Sequence, residues 1–199
     1  MQNTHIADIS FSEALSKAFT TQAEAESFVT SAEQSSSDTA KLIIHQAARF
    51  VWLADRMDDI AKGRPSLQIL FYIIAAETVS KLFFDYHGER ESRAHVVKFF
   101  NEFCSDQHRA RLAKAFKNKR AFMTTDEAVN FLYDVRCDVA HRGNYYQLLL
   151  PGMPASGPMG SLLNMVDDEI IEAYISSSEI RQIIIEGSVQ ASRLLIQKQ

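Results

Sequence analysis

The chain has little cysteine, proline and tryptophan: two, four and one among 199 residues. Cys104 and Cys137 fall inside predicted helices and lack the Cys-x-x-Cys spacing of metal sites. This favours free thiols in the cytoplasm over a disulfide scaffold or a metal centre. The first residues, Met-Gln-Asn-Thr-His, lack the basic and then apolar order of a secretory signal, so we expect a protein that is not secreted.

The chain also lacks long apolar runs and a strong excess of acidic or basic residues. The most apolar run, residues 67–76, is too short to span a bilayer, and we expect it in a buried core helix rather than in a membrane. The net charge of −4 argues against a protein that binds nucleic acid through its whole surface, although it allows a local basic patch. The length suits one domain, residues 1–199.

Helix signals dominate what is present. Thr124-x-x-Glu127 and Ser176-x-x-Glu179 have the pattern of capping boxes, and Pro65 suits the first turn of a helix. We predict an all-α bundle of about five to seven helices. After a short helix that begins near Thr21, the predicted helices are 39–61, 65–86, 89–104, 105–118, 124–142 and 176–195.

Two segments differ from this helical pattern. Residues 143–162 hold four of the seven glycines and three of the four prolines, which predicts a loop with 145–150 extended within it. Residues 1–38, which include a serine-rich break, are interpreted as an N-terminal extension.

The most informative stretch is 131–145, Phe-Leu-Tyr-Asp-Val-Arg-Cys-Asp-Val-Ala-His-Arg-Gly-Asn-Tyr. It places Arg136 five residues before His141 on an amphipathic helix that Gly143 terminates. A permanently charged guanidinium and a titratable imidazole are sufficient to cleave a phosphodiester without a metal or other cofactor. His141 would act as general base or general acid, and Arg136 would stabilise charge on the phosphoryl oxygens. Asp138 would accept a hydrogen bond from the imidazole.

The spacing of Arg136 and His141 raises a geometric problem. On a regular helix the two side chains diverge by about 140°, because each residue turns by about 100°. Either the helix distorts at its end, or a two-fold dimer brings Arg136 of one copy to His141 of the other. Because both residues flank the apolar stripe of the helix, we expect truncation of either to cost little stability.

The string Arg136…Ala140-His141-x-Gly143 resembles the signature of the HEPN superfamily, small helical domains that are often ribonucleases. The resemblance is specific near 132–143. It implies an endoribonuclease that cuts single-stranded RNA to a 2′,3′-cyclic phosphate, with its cleft where two motif helices meet in a homodimer. It also suggests a toxin–antitoxin or phage-defence role, with an antitoxin or defence protein as partner.

A non-catalytic interpretation stays open beside this one. Many active members carry a polar residue straight after the arginine, where this chain has Cys137. Arg136 would then be a surface arginine paired with a carboxylate, and His141 a helix C-cap. Arg90 and His95 have the same spacing by chance, and we interpret their segment as an exposed first helical turn. The alternative function is a HEPN-like helical module that binds a protein or RNA.

Two further features are candidates for the site. Glu77 and Lys81, one turn apart, form either a local ion pair or a polar group that faces the cleft. Residues 108–120 contain six lysines and arginines and no acid, so they form either an RNA-binding strip or a solvated helix face. The proposed strip consists of Arg109, Arg111, Lys114, Lys117, Lys119 and Arg120.

Overall fold

A computed structural model describes residues 15, 18–118, 121–145, 148–151, 162–166 and 169–198. These residues form seven α-helices, which confirms the predicted all-α bundle. The helices are α1 Gln22–Gln34, α2 Asp38–Ile60, α3 Pro65–Phe83, α4 Ser92–Phe103, α5 Asp106–Leu112, α6 Thr125–Cys137 and α7 Ser177–Gln197. Three short strands accompany them: β1 Phe116–Lys117, β2 Leu162–Val166 and β3 Glu169–Ala173.

The helix that carries the motif begins where the sequence predicts. The Thr124 hydroxyl accepts the backbone N–H of Glu127, and the Glu127 carboxylate accepts the backbone N–H of Thr124. Ser176 and Glu179 form the same reciprocal pair at the start of α7. Each box satisfies backbone donors that a helix start otherwise leaves unpaired.

Helix α3 is the central helix of the bundle, as its uniformly apolar sequence predicts. It packs against α2, α4, α6 and α7, and side chains on several of its sides are fully buried. By length and composition α3 is also a candidate membrane span, but half of that stretch is buried inside the protein. A helix that is apolar all round and covered by other helices is typical of a bundle core.

A three-stranded antiparallel sheet, in the order β1-β3-β2, was not predicted. Ala173 of β3 lies opposite Leu162 of β2 and Phe116 of β1. Strand β2 begins at the end of the predicted loop 143–162, of which residues 146–147 and 152–161 lie outside the described residues. Within the predicted extension 1–38, α1 packs against α2 and α7.

The prediction of one helix over 105–118 is wrong in its second half. Helix α5 ends at Leu112, and the chain then enters β1, where Lys117 pairs with Glu172 of β3. A partner more than 50 residues later in the sequence therefore determines the conformation here. The described basic residues of 108–118 therefore do not share one helix face.

Candidate functional site

The helix that carries Arg136 and His141 distorts at its end. After α6 the chain forms a π-helical turn, Asp138–Arg142, and the Gly143 N–H donates to the Asp138 carbonyl. A turn with i→i+5 hydrogen bonds absorbs one extra residue. It therefore advances the chain by less than about 100° per residue and reduces the divergence of His141 from Arg136 below about 140°. Gly143 closes the turn with φ of 66°, a left-handed conformation that glycine adopts without strain.

Arg136 is held against the bundle. One terminal nitrogen of its guanidinium lies 3.3 Å from Oε2 of Glu77 on α3, and the other lies 3.9 Å from Sγ of Cys137. Only 18% of the Arg136 side chain is exposed. Its Nε is buried with no hydrogen-bond partner among the residues described. Arg136 thus has a fixed position and a buried donor without a partner among the described residues.

Glu77 holds two cations at once. Its Oε1 accepts a hydrogen bond of 2.7 Å from Nζ of Lys81, which is the local pair the sequence allowed, while Oε2 contacts Arg136. Burial alone raises the pKa of Glu77. Hydrogen bonds from Lys81 and Ser92, with the charges of Lys81 and Arg136, outweigh that effect and lower the pKa below its ordinary value. Glu77 therefore stays ionised and keeps Arg136 in position.

His141 has a different environment from Arg136. It is exposed on the π-turn and forms no hydrogen bond or ion pair with any residue that the structure describes. Asp138 does not bond to His141 as expected, because its carboxylate pairs with Arg142 at 3.1 Å. The π-turn reduces the angle between Arg136 and His141 around the helix axis, and no hydrogen bond joins their side chains.

Sequence reasoning missed two residues beside Arg136. The Tyr133 ring centre lies 5.5 Å from the Arg136 guanidinium carbon and 4.6 Å from that of Arg93 on α4. Arg93 also pairs with Asp134. Burial raises the pKa of Tyr133, and Cys137 adds to this effect while Arg136 opposes it. The only sequence signal for Tyr133 was its place three residues before Arg136. Arg93 is too distant in the sequence from Arg136 for any local pattern to indicate their proximity.

Arg90 and His95, the pair with the same spacing, do not lie on an exposed turn as predicted. Arg90 is exposed, but His95 is only 2% exposed, and its Nδ1 lies 3.2 Å from the Ser80 hydroxyl of α3. Helix α4 begins at Ser92, so His95 falls on its buried face. His95 is therefore a core histidine.

The predicted RNA-binding strip divides into residues with different roles. Arg109 donates to the carbonyl oxygens of Asn101 and Cys104, and so caps the end of α4. Arg111 pairs with Glu179 at 2.7 Å and donates to the Tyr174 carbonyl. Lys114 is exposed and Lys117 is half-buried, whereas Lys119 and Arg120 lie outside the described residues.

Comparisons of the chain with protein-family models, with curated proteins and with solved structures find no match. The HEPN resemblance thus depends on the motif residues near 132–143.

Proposed function

We propose that this protein is a metal-independent endoribonuclease of the HEPN type that cuts single-stranded RNA. The observation that supports this most directly is the π-turn Asp138–Arg142, which reduces the divergence of an exposed histidine from Arg136. No carboxylate of the described residues occupies His141, so its imidazole is available to a substrate. Glu77 pre-positions the arginine, as electrostatic stabilisation of a transition state requires.

The reaction needs only these two side chains. His141 takes the proton of a ribose 2′-hydroxyl, and the 2′-oxygen attacks the adjacent phosphorus. The bond from phosphorus to the 5′-oxygen breaks, and this oxygen takes a proton from solvent or from the protonated imidazole. Arg136 stabilises the negative charge on the phosphoryl oxygens with the guanidinium donors that Glu77 does not use. The products are a 2′,3′-cyclic phosphate and a 5′-hydroxyl.

We propose a cytoplasmic homodimer that pairs through α6 near the π-turn, so that two sites lie close together. An unregulated ribonuclease would damage the RNA of its own cell. A restraining partner, such as an antitoxin or another defence protein, fits such an enzyme.

A second candidate is a non-catalytic helical module that binds RNA or a protein. The burial of Arg136 favours it, because Glu77 already neutralises this guanidinium and only 18% of the side chain is exposed. Cys137 favours it too, since active members of the family often have a polar residue there. In this case Arg136 only joins α6 to α3.

The products of cleavage distinguish the two candidates. A labelled single-stranded RNA is incubated with the protein in excess chelator, beside the same sequence made of deoxyribonucleotides. The ribonuclease proposal predicts RNA fragments with 2′,3′-cyclic phosphate and 5′-hydroxyl ends and intact DNA, which has no 2′-hydroxyl. RNA that is bound but stays intact across a panel of sequences favours the non-catalytic module.

A further inference from the structure

We infer that Arg93 and Tyr133 form an RNA-binding platform beside Arg136, where Arg93 takes a phosphate and Tyr133 stacks on a base. This inference rests on the proposed function for its ligand, single-stranded RNA. It assigns substrate binding to residues outside the Arg136…His141 motif. It also gives the two arginines different roles.

The platform joins two helices at one aromatic ring. The guanidinium carbon of Arg93 on α4 lies 4.6 Å from the Tyr133 ring centre, and that of Arg136 on α6 lies 5.5 Å from it. Tyr133 is half-buried, so part of its side chain is open to solvent. Aromatic rings and arginine planes beside them are the surfaces on which proteins stack the bases of single strands.

The ion pairs of the two arginines differ in exposure. Arg93 pairs with Asp134, and the two side chains are 47% and 54% exposed. Arg136 pairs with Glu77, and those side chains are 18% and 11% exposed. An exposed ion pair contributes little net stability, so an RNA phosphate replaces Asp134 at Arg93 at little cost. The buried pair of Arg136 and Glu77 is not exchangeable in this way.

Asp134 is therefore a competitor of the substrate. Its carboxylate occupies the guanidinium fork of Arg93 that a phosphate would take, and Asn130 accepts a further hydrogen bond of 3.2 Å from Arg93. When the Asp134 charge is removed, Arg93 stays in place through Asn130 and its fork is open. Loss of this acid should tighten RNA binding, which a purely structural ion pair would not do.

The chain offers a matched control for this platform. On α2, Arg56 pairs with Asp59 at 3.0 Å, and its guanidinium carbon lies 5.6 Å from the ring of Trp52. Both side chains of this pair are exposed, as at Arg93 and Asp134. Substitutions here change the net charge by the same amount and remove the same kind of contact. They test whether an effect belongs to the platform or to charge in general.

The experiment measures binding without cleavage. Every variant carries His141→Ala, and the dissociation constant for a fluorescent single-stranded RNA is followed by anisotropy over a range of salt concentrations. Arg93→Ala should weaken binding and reduce the salt slope by about 0.7, the loss of one phosphate contact. Asp134→Asn should tighten binding. Arg56→Ala and Asp59→Asn should leave both quantities unchanged.

Two substitutions of Tyr133 separate the contribution of its aromatic ring from that of its hydroxyl group. Tyr133→Phe should keep the affinity, while Tyr133→Leu, which retains an apolar side chain without a ring, should weaken it about tenfold or more. Thermal melts of each variant confirm that the fold persists. Because Leu keeps apolar volume against the core, a loss of affinity with an unchanged melt belongs to stacking.

The outcomes separate the platform from the proposed function. Equal effects of Asp134→Asn and Asp59→Asn, or no effect of Arg93→Ala, would overturn the platform even if the wild type cleaves RNA. Absence of RNA binding by the His141→Ala protein at any salt concentration would overturn it as well. Binding that depends on Arg93, in a protein whose wild type never cuts RNA, supports the platform and contradicts the ribonuclease.

Discussion

Glu77 on α3 contacts the guanidinium of Arg136 on α6 at 3.3 Å, across 59 residues of sequence. The same carboxylate binds Lys81 at 2.7 Å. This contact sets the position of the arginine, which lies on the flank of the apolar stripe of its helix. It also means that truncation of Arg136 should destabilise the fold, whereas the sequence alone led us to expect little loss of stability.

Arg136→Ala should lower the free energy of unfolding by about 1–3 kcal/mol, because it leaves the buried Glu77 carboxylate with one cation fewer. His141→Ala should change it by no more than about 0.5 kcal/mol, since this side chain is exposed and has no partner among the described residues. Urea denaturation of both variants measures the difference. Equal and small effects would contradict the structural role of the Arg136 contact.

His95 should make the fold sensitive to mild acid. Burial, with the charges of Lys98 and Lys81, holds the pKa of His95 below its ordinary value, against the opposing charges of Glu91 and Glu77. The unfolded chain therefore binds this proton more readily, so stability is full above about pH 6.5 and falls as the pH drops towards the folded-state pKa.

The size of this effect has an upper limit of about 1.4 kcal/mol per pH unit for one proton. From pH 7.5 to pH 5.5, the midpoint of urea denaturation should fall more for the wild type than for His95→Gln. This variant keeps a polar partner for Ser80 but does not titrate. His87→Gln is the exposed control, with 87% of the His87 side chain open to solvent. A wild type and a His95→Gln variant that lose the same stability would rule out this account.

Among the described residues of the basic strip, only Lys114 and Lys117 should contribute to RNA binding. Charge reversal of these two lysines should weaken RNA binding and lower the salt slope by about 1.4, two single-strand phosphate contacts. Arg111→Ala should instead destabilise the fold, because it removes the contacts with Glu179 and the Tyr174 carbonyl. Salt titrations of RNA binding and thermal melts of the variants separate these two effects. If the double charge reversal leaves RNA binding unchanged, the two lysines belong only to a solvated surface.

We expect the π-turn to place both reactive groups of one site in a single chain. Light scattering should show a homodimer, but a mixture of Arg136→Ala and His141→Ala proteins should be no more active than either alone. If the site were shared between copies, a mixed dimer would contain one intact Arg136 and His141 pair. Activity that returns on mixing would therefore place the site across the interface.

Local signals predicted most of the helices. The capping residues Thr124 and Ser176 act within four residues of chain, and Pro65 fits a helix start wherever the rest of the protein lies. The apolar composition of α3 predicted its central place for a similar reason. These features depend on near neighbours, which a sequence shows directly.

Features that depend on distant partners could not be predicted. Strand β1 exists because Lys117 pairs with Glu172, and no local pattern in 105–118 indicates where α5 ends. The contact of Glu77 with Arg136 and the approach of Arg93 to Tyr133 both join separate helices. The sequence left two arrangements open for the motif helix, a distorted end or a site shared between two copies. The regular turn of about 100° per residue does not distinguish them.

The most direct test of the ribonuclease account is the single-turnover cleavage rate of a labelled single-stranded RNA in chelator. His141→Ala should lower this rate by about 10²–10⁴-fold, the usual contribution of a general acid–base group. His87→Ala removes another strongly exposed histidine, and this variant should cut at the wild-type rate with an equal melting temperature. Equal rates for the wild type and His141→Ala, or a wild type that leaves the RNA intact, would contradict the account.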